Sequence, residues 1–161
     1  LSARSKLLLL GEFLRPEWDT YFLGICHAIA ERADCTRRKV GAVIVKDHRI
    51  VSSGYNGAPA GHYGCIEGAC PRGRKSLTEL APGGGAYDSG ELYCIAVHAE
   101  ANAIIYGDYE RMRHGIMYCT DEPCRGCLKL IMGAGILRVI TPAGRFDIPE
   151  YGFDRSSPHL L

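Results

Sequence analysis

The sequence lacks the features that mark membrane, secreted and nucleic-acid-binding proteins. It has no apolar run of membrane-spanning length, and its densest run, Leu7–Leu10, ends at Gly11, well short of a signal-peptide core. It also lacks an excess of charge of either sign, because 19 basic and 18 acidic residues leave a net charge of +1. That balance gives no electrostatic footprint for a nucleic acid. We therefore expect a cytoplasmic protein that binds neither membranes nor nucleic acids.

What the sequence has is enough apolar residues for a core and an unusual number of cysteines. The chain has 161 residues, of which 47% are hydrophobic, and this length predicts a single domain over residues 1–161. Its eight cysteines would indicate disulfides in a small secreted protein. Without a secretion signal, they favour a reducing compartment and more than one metal site.

Two short motifs supply the ligands of a metal site. The first is His98-Ala99-Glu100, and the second is Pro123-Cys124-Arg125-Gly126-Cys127. One imidazole and two thiolates give zinc three protein ligands and leave its fourth position open to water, as in catalytic zinc sites. Glu100 has no ligand duty in this set, so its carboxylate can take a proton from that water and pass it on.

The spacing of these residues predicts how the chain must place them. Cys124 and Cys127 are three residues apart and lie on one face of a helix, which Pro123 is suited to begin. His98 and Glu100 are about 200° apart on a regular helix. They can converge only on a metal that lies beyond the N-terminus of their helix. The motifs therefore predict two helix N-termini that point at one zinc ion.

Strands and helices alternate along the chain, which predicts an α/β layered fold with at least some parallel strands. No clear pattern covers the tail, residues 142–161. The predicted helices are residues 17–32, 98–106 and 124–132, and the predicted strands are residues 40–46, 50–55, 116–120 and 136–141.

A glycine-rich and proline-rich stretch at about residues 58–94 interrupts this alternation, and it reads as a Cys-rich loop insertion. A loop with little core to bury can be held by a metal ion. Three cysteines of the loop and one upstream would form a closed, all-thiolate second site, with His62 as a substitute ligand. The alternative is that these thiols are incidental. The four cysteines are Cys35, Cys65, Cys70 and Cys94.

A basic run, Arg37-Arg38-Lys39, lies between the first helix and the first strand. Such a run is usually a solvated edge. It is also a basic cluster close in sequence to the proposed site region, so a phosphate group could bind there. Both interpretations stay open on sequence grounds.

The combined motif, His-x-Glu followed by Pro-Cys-x-x-Cys, resembles that of the cytidine deaminase superfamily. The chain is most similar to deoxycytidylate (dCMP) deaminases over roughly residues 15–141. The similarity includes residues 15–22, residues 54–57 and the loop cysteines. It implies a three-layer α/β/α sandwich around a mixed five-stranded sheet, and zinc-dependent hydrolysis of dCMP to dUMP and ammonia.

The resemblance also implies roles for individual residues. His98, Cys124 and Cys127 would hold the catalytic zinc, and Glu100 would move the proton. Asn56, whose Asn-Gly pair is otherwise typical of a turn, would contact the nucleoside. The loop cysteines match positions at which members hold a second zinc. We choose Arg38 as a donor to the substrate phosphate.

The family further implies a homo-oligomer, commonly a hexamer, regulated by deoxynucleoside triphosphates such as dCTP and dTTP. Rival interpretations within the superfamily are a cytidine or deoxycytidine deaminase, a guanine deaminase and a tRNA adenosine deaminase. Glu122 before Pro123 is more typical of the last two. A non-catalytic zinc-binding module is the rival outside enzymes, and Glu100 argues against it because a structural site has no use for that acid.

Overall fold

The computed structural model describes residues 15–76, 78–80 and 90–148. The apolar run Leu7–Leu10, part of the Cys-rich loop and the last part of the tail fall outside these ranges. The elements in chain order are α1 (Trp18–Ala30), β1 (Gly41–Lys46), β2 (Arg49–Tyr55), α2 (Ala99–Ile105), α3 (Tyr109–Met112), β3 (Ile116–Cys119), α4 (Arg125–Gly133), β4 (Arg138–Thr141) and β5 (Gly144–Asp147).

The five strands form one mixed sheet in the order β2-β1-β3-β4-β5. Strand β1 pairs antiparallel with both β2 and β3, β3 and β4 are parallel, and β5 returns antiparallel to β4. The expectation of a mixed five-stranded sheet is confirmed, and its first two strands form an antiparallel hairpin. The hairpin turns at Asp47 and His48, both with positive φ, as a tight two-residue turn requires.

Helices cover both faces of the sheet, which gives the expected three layers. On one face, α1 packs Phe22 and Cys26 against Val43, Val45 and other strand residues. On the other face, α2, α3 and α4 pack against Ile44, Met117 and Val139 with their neighbours. Because β1 is covered on both sides, its first five residues are all buried and its sequence is a continuous apolar run.

One edge of the sheet gathers the segments that matter for function. The registers place the start of β1, the end of β2 and the ends of β3 and β4 at the same edge. Residues 38, 56 and 121 follow or precede these strand ends. After β2, Gly57 forms an isolated bridge to Val97, which delivers the next residue, His98, to this edge.

Two short elements were not predicted. The fifth strand, β5, lies in the tail, which has no clear sequence pattern, and all four of its residues are exposed. The single-turn helix α3 is too short for a periodic signal. None of the helices in the described ranges is long and apolar enough to cross a membrane.

Candidate metal centre and active site

Two helix N-termini meet at the sheet edge and carry the motif residues. His98 is the N-cap of α2, and Cys124 is the N-cap of α4, each with extended backbone angles. Cys127 lies in the first turn of α4, and its backbone N–H donates to the Sγ of Cys124 at 3.5 Å. Both helices begin one residue later than predicted, so the ligands cap the helices and reach beyond their ends.

The three ligand atoms lie at distances that suit a zinc ion. Nδ1 of His98 is 3.5 Å from Sγ of Cys124 and 3.4 Å from Sγ of Cys127, and all three lie within 4.8 Å of one another. Tetrahedral zinc with usual Zn–S and Zn–N bond lengths requires a sulfur–nitrogen separation of ~3.5 Å. The donor set and its spacing therefore fit zinc, with one coordination position left for a non-protein ligand.

Glu100 lies beside this group and is not part of it. Its side chain is 4% exposed, and it interacts with the Cys127 thiol and the His98 imidazole. Burial raises the pKa of the Glu100 carboxyl, and the nearby His98 opposes that shift. A buried carboxyl beside an open metal position is placed to accept and return a proton.

Burial is also the main influence on the pKa of the Cys127 thiol. Burial raises the pKa of its thiol, and the neighbouring Glu100 and Cys124 raise it further. Without a metal ion, this thiol is therefore neutral at physiological pH. Zinc binds the thiolate, so metal binding must release a proton from the site.

Comparison with known proteins agrees with this geometry. Residues 16–143 match the family described as the cytidine and deoxycytidylate deaminase zinc-binding region. The chain belongs to this deaminase family. The deaminase is 53% identical over 128 residues to a deoxycytidylate deaminase of Mycobacterium phage D29, which covers 80% of this chain and 96% of that protein.

More distant relatives share the family and the fold. A deoxycytidylate deaminase of Schizosaccharomyces pombe is 37% identical to this chain over 83% of the chain's length. The match covers 39% of the yeast protein. The solved dCMP deaminase of cyanophage S-TIM5, in complex with dCMP and dUMP, is 24% identical. It superposes with a TM-score of 0.57 over 80% of this chain and 82% of that chain, which supports the α/β fold.

The two predicted substrate contacts, Asn56 and Arg38, both lie at this sheet edge, but Asn56 is buried and the Arg38 side chain is exposed. Asn56 is 8% exposed, and its side chain accepts from the Val40 N–H and donates to the Arg38 carbonyl, each at 2.8 Å. These bonds fix the backbone segment that leads into β1. The Arg38 side chain is exposed and pairs with Asp121 at 3.5 Å. Sequence reasoning missed Asp121, although its place at the end of β3 next to the motif was a usable signal.

A cleft of about 390 Å³ opens beside the second motif. Its walls come from the segment before β1, the loop after β3 and the end of β4, and they carry both charged and hydroxyl groups. The lining residues are Arg38, Thr120, Asp121, Glu122, Thr141, Pro142 and Ala143. The carboxyl ends of the parallel strands β3 and β4 meet here, which is where open α/β sheets bind ligands.

The four cysteines of the predicted second site lie in the same region but do not form one tight group. Cys70 interacts with the Cys94 thiol, and Cys35 is close enough to influence Cys94. Cys65 instead forms a hydrogen bond with Thr36 at 3.2 Å. Among the described residues, His98, Cys124 and Cys127 are the only metal-ligand group whose atoms all lie within 4.8 Å of one another. The second zinc site therefore stays a prediction.

Proposed function

We propose that this protein is a zinc-dependent hydrolase that deaminates dCMP to dUMP and ammonia. One observation carries the chemistry, namely the convergence of His98, Cys124 and Cys127 beside the buried carboxyl of Glu100. The substrate is supported by the 53% identity to a phage protein named deoxycytidylate deaminase, which the chain matches over nearly its whole length.

The proposed reaction needs a water nucleophile and a proton carrier. Zinc held by the three ligands would activate the attacking water, as in the nucleobase deaminases. Glu100 takes a proton from that water and gives it to ring atom N3 of the cytosine. It then takes a second proton from the hydroxyl group added to the ring carbon and gives it to the exocyclic amino group, which leaves as ammonia while the ring carbon becomes a carbonyl. Burial supports this role because it keeps bulk water away from the carboxyl.

The proposed substrate contacts lie at the sheet edge next to the zinc ligands. Arg38 supplies a charged donor to the 5′ phosphate, and it lines the cleft together with Asp121 and Glu122 of the loop that precedes Cys124. Asn56 keeps one amide hydrogen and one oxygen lone pair after its two backbone bonds, so it can still meet the sugar or base.

The test compares nucleotide and nucleoside substrates with the zinc-loaded enzyme. A charge-assisted hydrogen bond contributes roughly 1.5–3 kcal/mol, so kcat/KM for dCMP should exceed that for deoxycytidine by more than about tenfold. The Arg38→Ala variant is the matched control, and it should lose most of this preference while still accepting deoxycytidine. Faster turnover of deoxycytidine, guanine or a tRNA anticodon stem than of dCMP would overturn the substrate assignment.

We also propose a second, structural zinc on Cys35, Cys65, Cys70 and Cys94. The proximity of Cys35, Cys70 and Cys94 supports it, and a Cβ added at Gly73 would meet both the Sγ of Cys65 and the Cβ of Cys70, which places Cys65 in the same region. Metal analysis should give about two zinc ions per chain, since each closed or catalytic site holds one. Cys70→Ser should lower this to about one, and the control Cys26→Ala, which changes a buried thiol of α1 that packs against the sheet, should not. One zinc per chain with all four thiols open to alkylation would disprove the second site.

Two further expectations remain proposals for this chain. We expect a homo-oligomer, in line with the hexamers common in the family, and regulation by dCTP and dTTP. An exposed apolar group on α2 and α3, formed by Ile105, Tyr106 and Tyr109, supports self-association because a lone monomer would leave it in water.

A further inference from the structure

The ion pair between Arg38 and Asp121 joins two separate segments of the sheet edge. Arg38 precedes β1, whereas Asp121 follows β3 and lies three residues before the zinc ligand Cys124. Nη1 of Arg38 is 3.5 Å from Oδ1 of Asp121, and both side chains line the same cleft. The pair therefore connects the proposed phosphate donor to the loop that carries the metal centre.

The side chain of Arg38 is exposed and forms an ion pair with Asp121. It is 72% exposed, and within the described ranges Asp121 is the one acid that pairs with its guanidinium. Its backbone, in contrast, is held by the bond from Asn56 to the Arg38 carbonyl. An exposed arginine loses considerable rotamer freedom when it binds a phosphate. A neighbour that already restrains the guanidinium reduces that loss.

We propose that Asp121 is a positioning residue that orients the Arg38 guanidinium toward the 5′ phosphate of the substrate. This inference rests on the proposed function, in which Arg38 meets that phosphate. Asp121 engages one nitrogen of a planar group with five donors, so the other donors stay free for phosphate oxygens. Because Asp121 belongs to the loop that leads to Cys124, it would fix the position of the Arg38 guanidinium relative to the metal-ligand group.

The charge of the cleft supports a competing expectation, namely that Asp121 repels the substrate phosphate. Two carboxylates, Asp121 and Glu122, line the cleft with the single guanidinium of Arg38. If Asp121 acted only through its charge, it would repel a phosphate, and removing it would tighten dCMP binding. If it orients Arg38, removing it weakens dCMP binding. The two roles therefore predict changes of opposite sign in the same measurement.

The experiment measures kcat and KM for dCMP and for deoxycytidine with the zinc-loaded Asp121→Asn enzyme. We expect KM for dCMP to rise about two- to five-fold, as suits an exposed pair, with kcat and the values for deoxycytidine unchanged. Asp121→Glu should restore part of the affinity. Glu122→Gln removes the same unit of charge from the same cleft without touching Arg38, and KM for dCMP should not rise in this control.

A double-mutant cycle closes the test. If Asp121 acts through Arg38, then Asp121→Asn adds nothing to the KM for dCMP in an Arg38→Ala background. An unchanged or lower KM for dCMP in Asp121→Asn, or an equal rise for deoxycytidine, would overturn the inference and leave the proposed function intact. A wild-type enzyme with no preference for dCMP over deoxycytidine would instead refute the phosphate contact itself, and this inference with it.

Discussion

Gly54 in β2 is the position at which a single methyl group should disturb the active site most directly. A Cβ added at Gly54 would lie 2.3 Å from the Ala99 carbonyl oxygen and 2.4 Å from the Ala103 nitrogen, both in the backbone of α2. Ordinary contact begins at 3.4 Å, so helix and strand must separate by about 1 Å. Neither neighbour is a flexible side chain, and the whole helix has to move.

The consequence for activity follows because α2 carries His98 at its N-cap and Glu100 in its first turn. A misplacement of about 1 Å in a catalytic group can lower the rate by roughly 10²-fold. Overpacking a core contact also destabilises by about 1–3 kcal/mol. For a chain of this size, each kcal/mol lowers Tm by about 2–4 °C. We therefore expect Gly54→Ala to lose about 10²-fold in kcat/KM for dCMP and several degrees in Tm.

The measurement pairs steady-state kinetics with thermal unfolding and zinc analysis. Gly24→Ala is the matched control, since Gly24 lies on the exposed side of α1 and an added Cβ there meets no atom within 4 Å. That variant should keep its activity and gain about 0.5–1 kcal/mol of stability. If Gly54→Ala retains kcat/KM within twofold of wild type and the same Tm, the argument that this glycine seats the catalytic helix is wrong.

Two further predictions concern the buried titratable groups. Glu100→Gln should lower kcat by about 10²–10⁴-fold because it removes the proton carrier, while zinc content stays that of the wild type, and near-normal turnover would refute the role. Burial raises the pKa of Cys26 to about 12, so the folded protein keeps this thiol neutral where the unfolded chain ionises it. The free energy of unfolding should therefore fall as pH rises from about 9 toward 12. This dependence on pH should be less steep in Cys26→Ala, by at most about 1.4 kcal/mol per pH unit. Equal slopes in the two proteins would contradict the raised pKa of Cys26.

Sequence reasoning was most successful where local rules decide the structure. The prediction that two helix N-termini meet follows from residue spacing alone, and the structure places His98 and Cys124 as the two N-caps. Strand β5 was not predicted because all four of its residues are exposed and give no apolar pattern, although it pairs with the preceding strand β4 across a two-residue turn. Asn56 has a turn-like sequence, yet its side chain binds a segment sixteen residues earlier. Contacts of that range leave no periodic signal.

The two arginines of the basic run before β1 have different partners. Arg37 turns toward the Cys-rich loop and donates to the carbonyls of Arg72, at 2.7 Å, and Lys75. Arg38, the next residue, faces the cleft and Asp121. Two residues before Arg37, Cys35 lies close to the thiol of Cys94.

The Cys-rich loop and the proposed substrate cleft therefore share one short stretch of backbone, residues 35–38. We expect a shift of the loop to move Arg37, which binds its carbonyls, and through the chain Arg38, without a direct effect on the metal ligands at the N-termini of α2 and α4. The physical role of a metal in that loop would then be to hold the phosphate donor, and its loss should raise KM for dCMP before it lowers kcat. If both proposals hold, the loop cysteines act on substrate binding through residues 35–38, although none of them belongs to the catalytic metal centre.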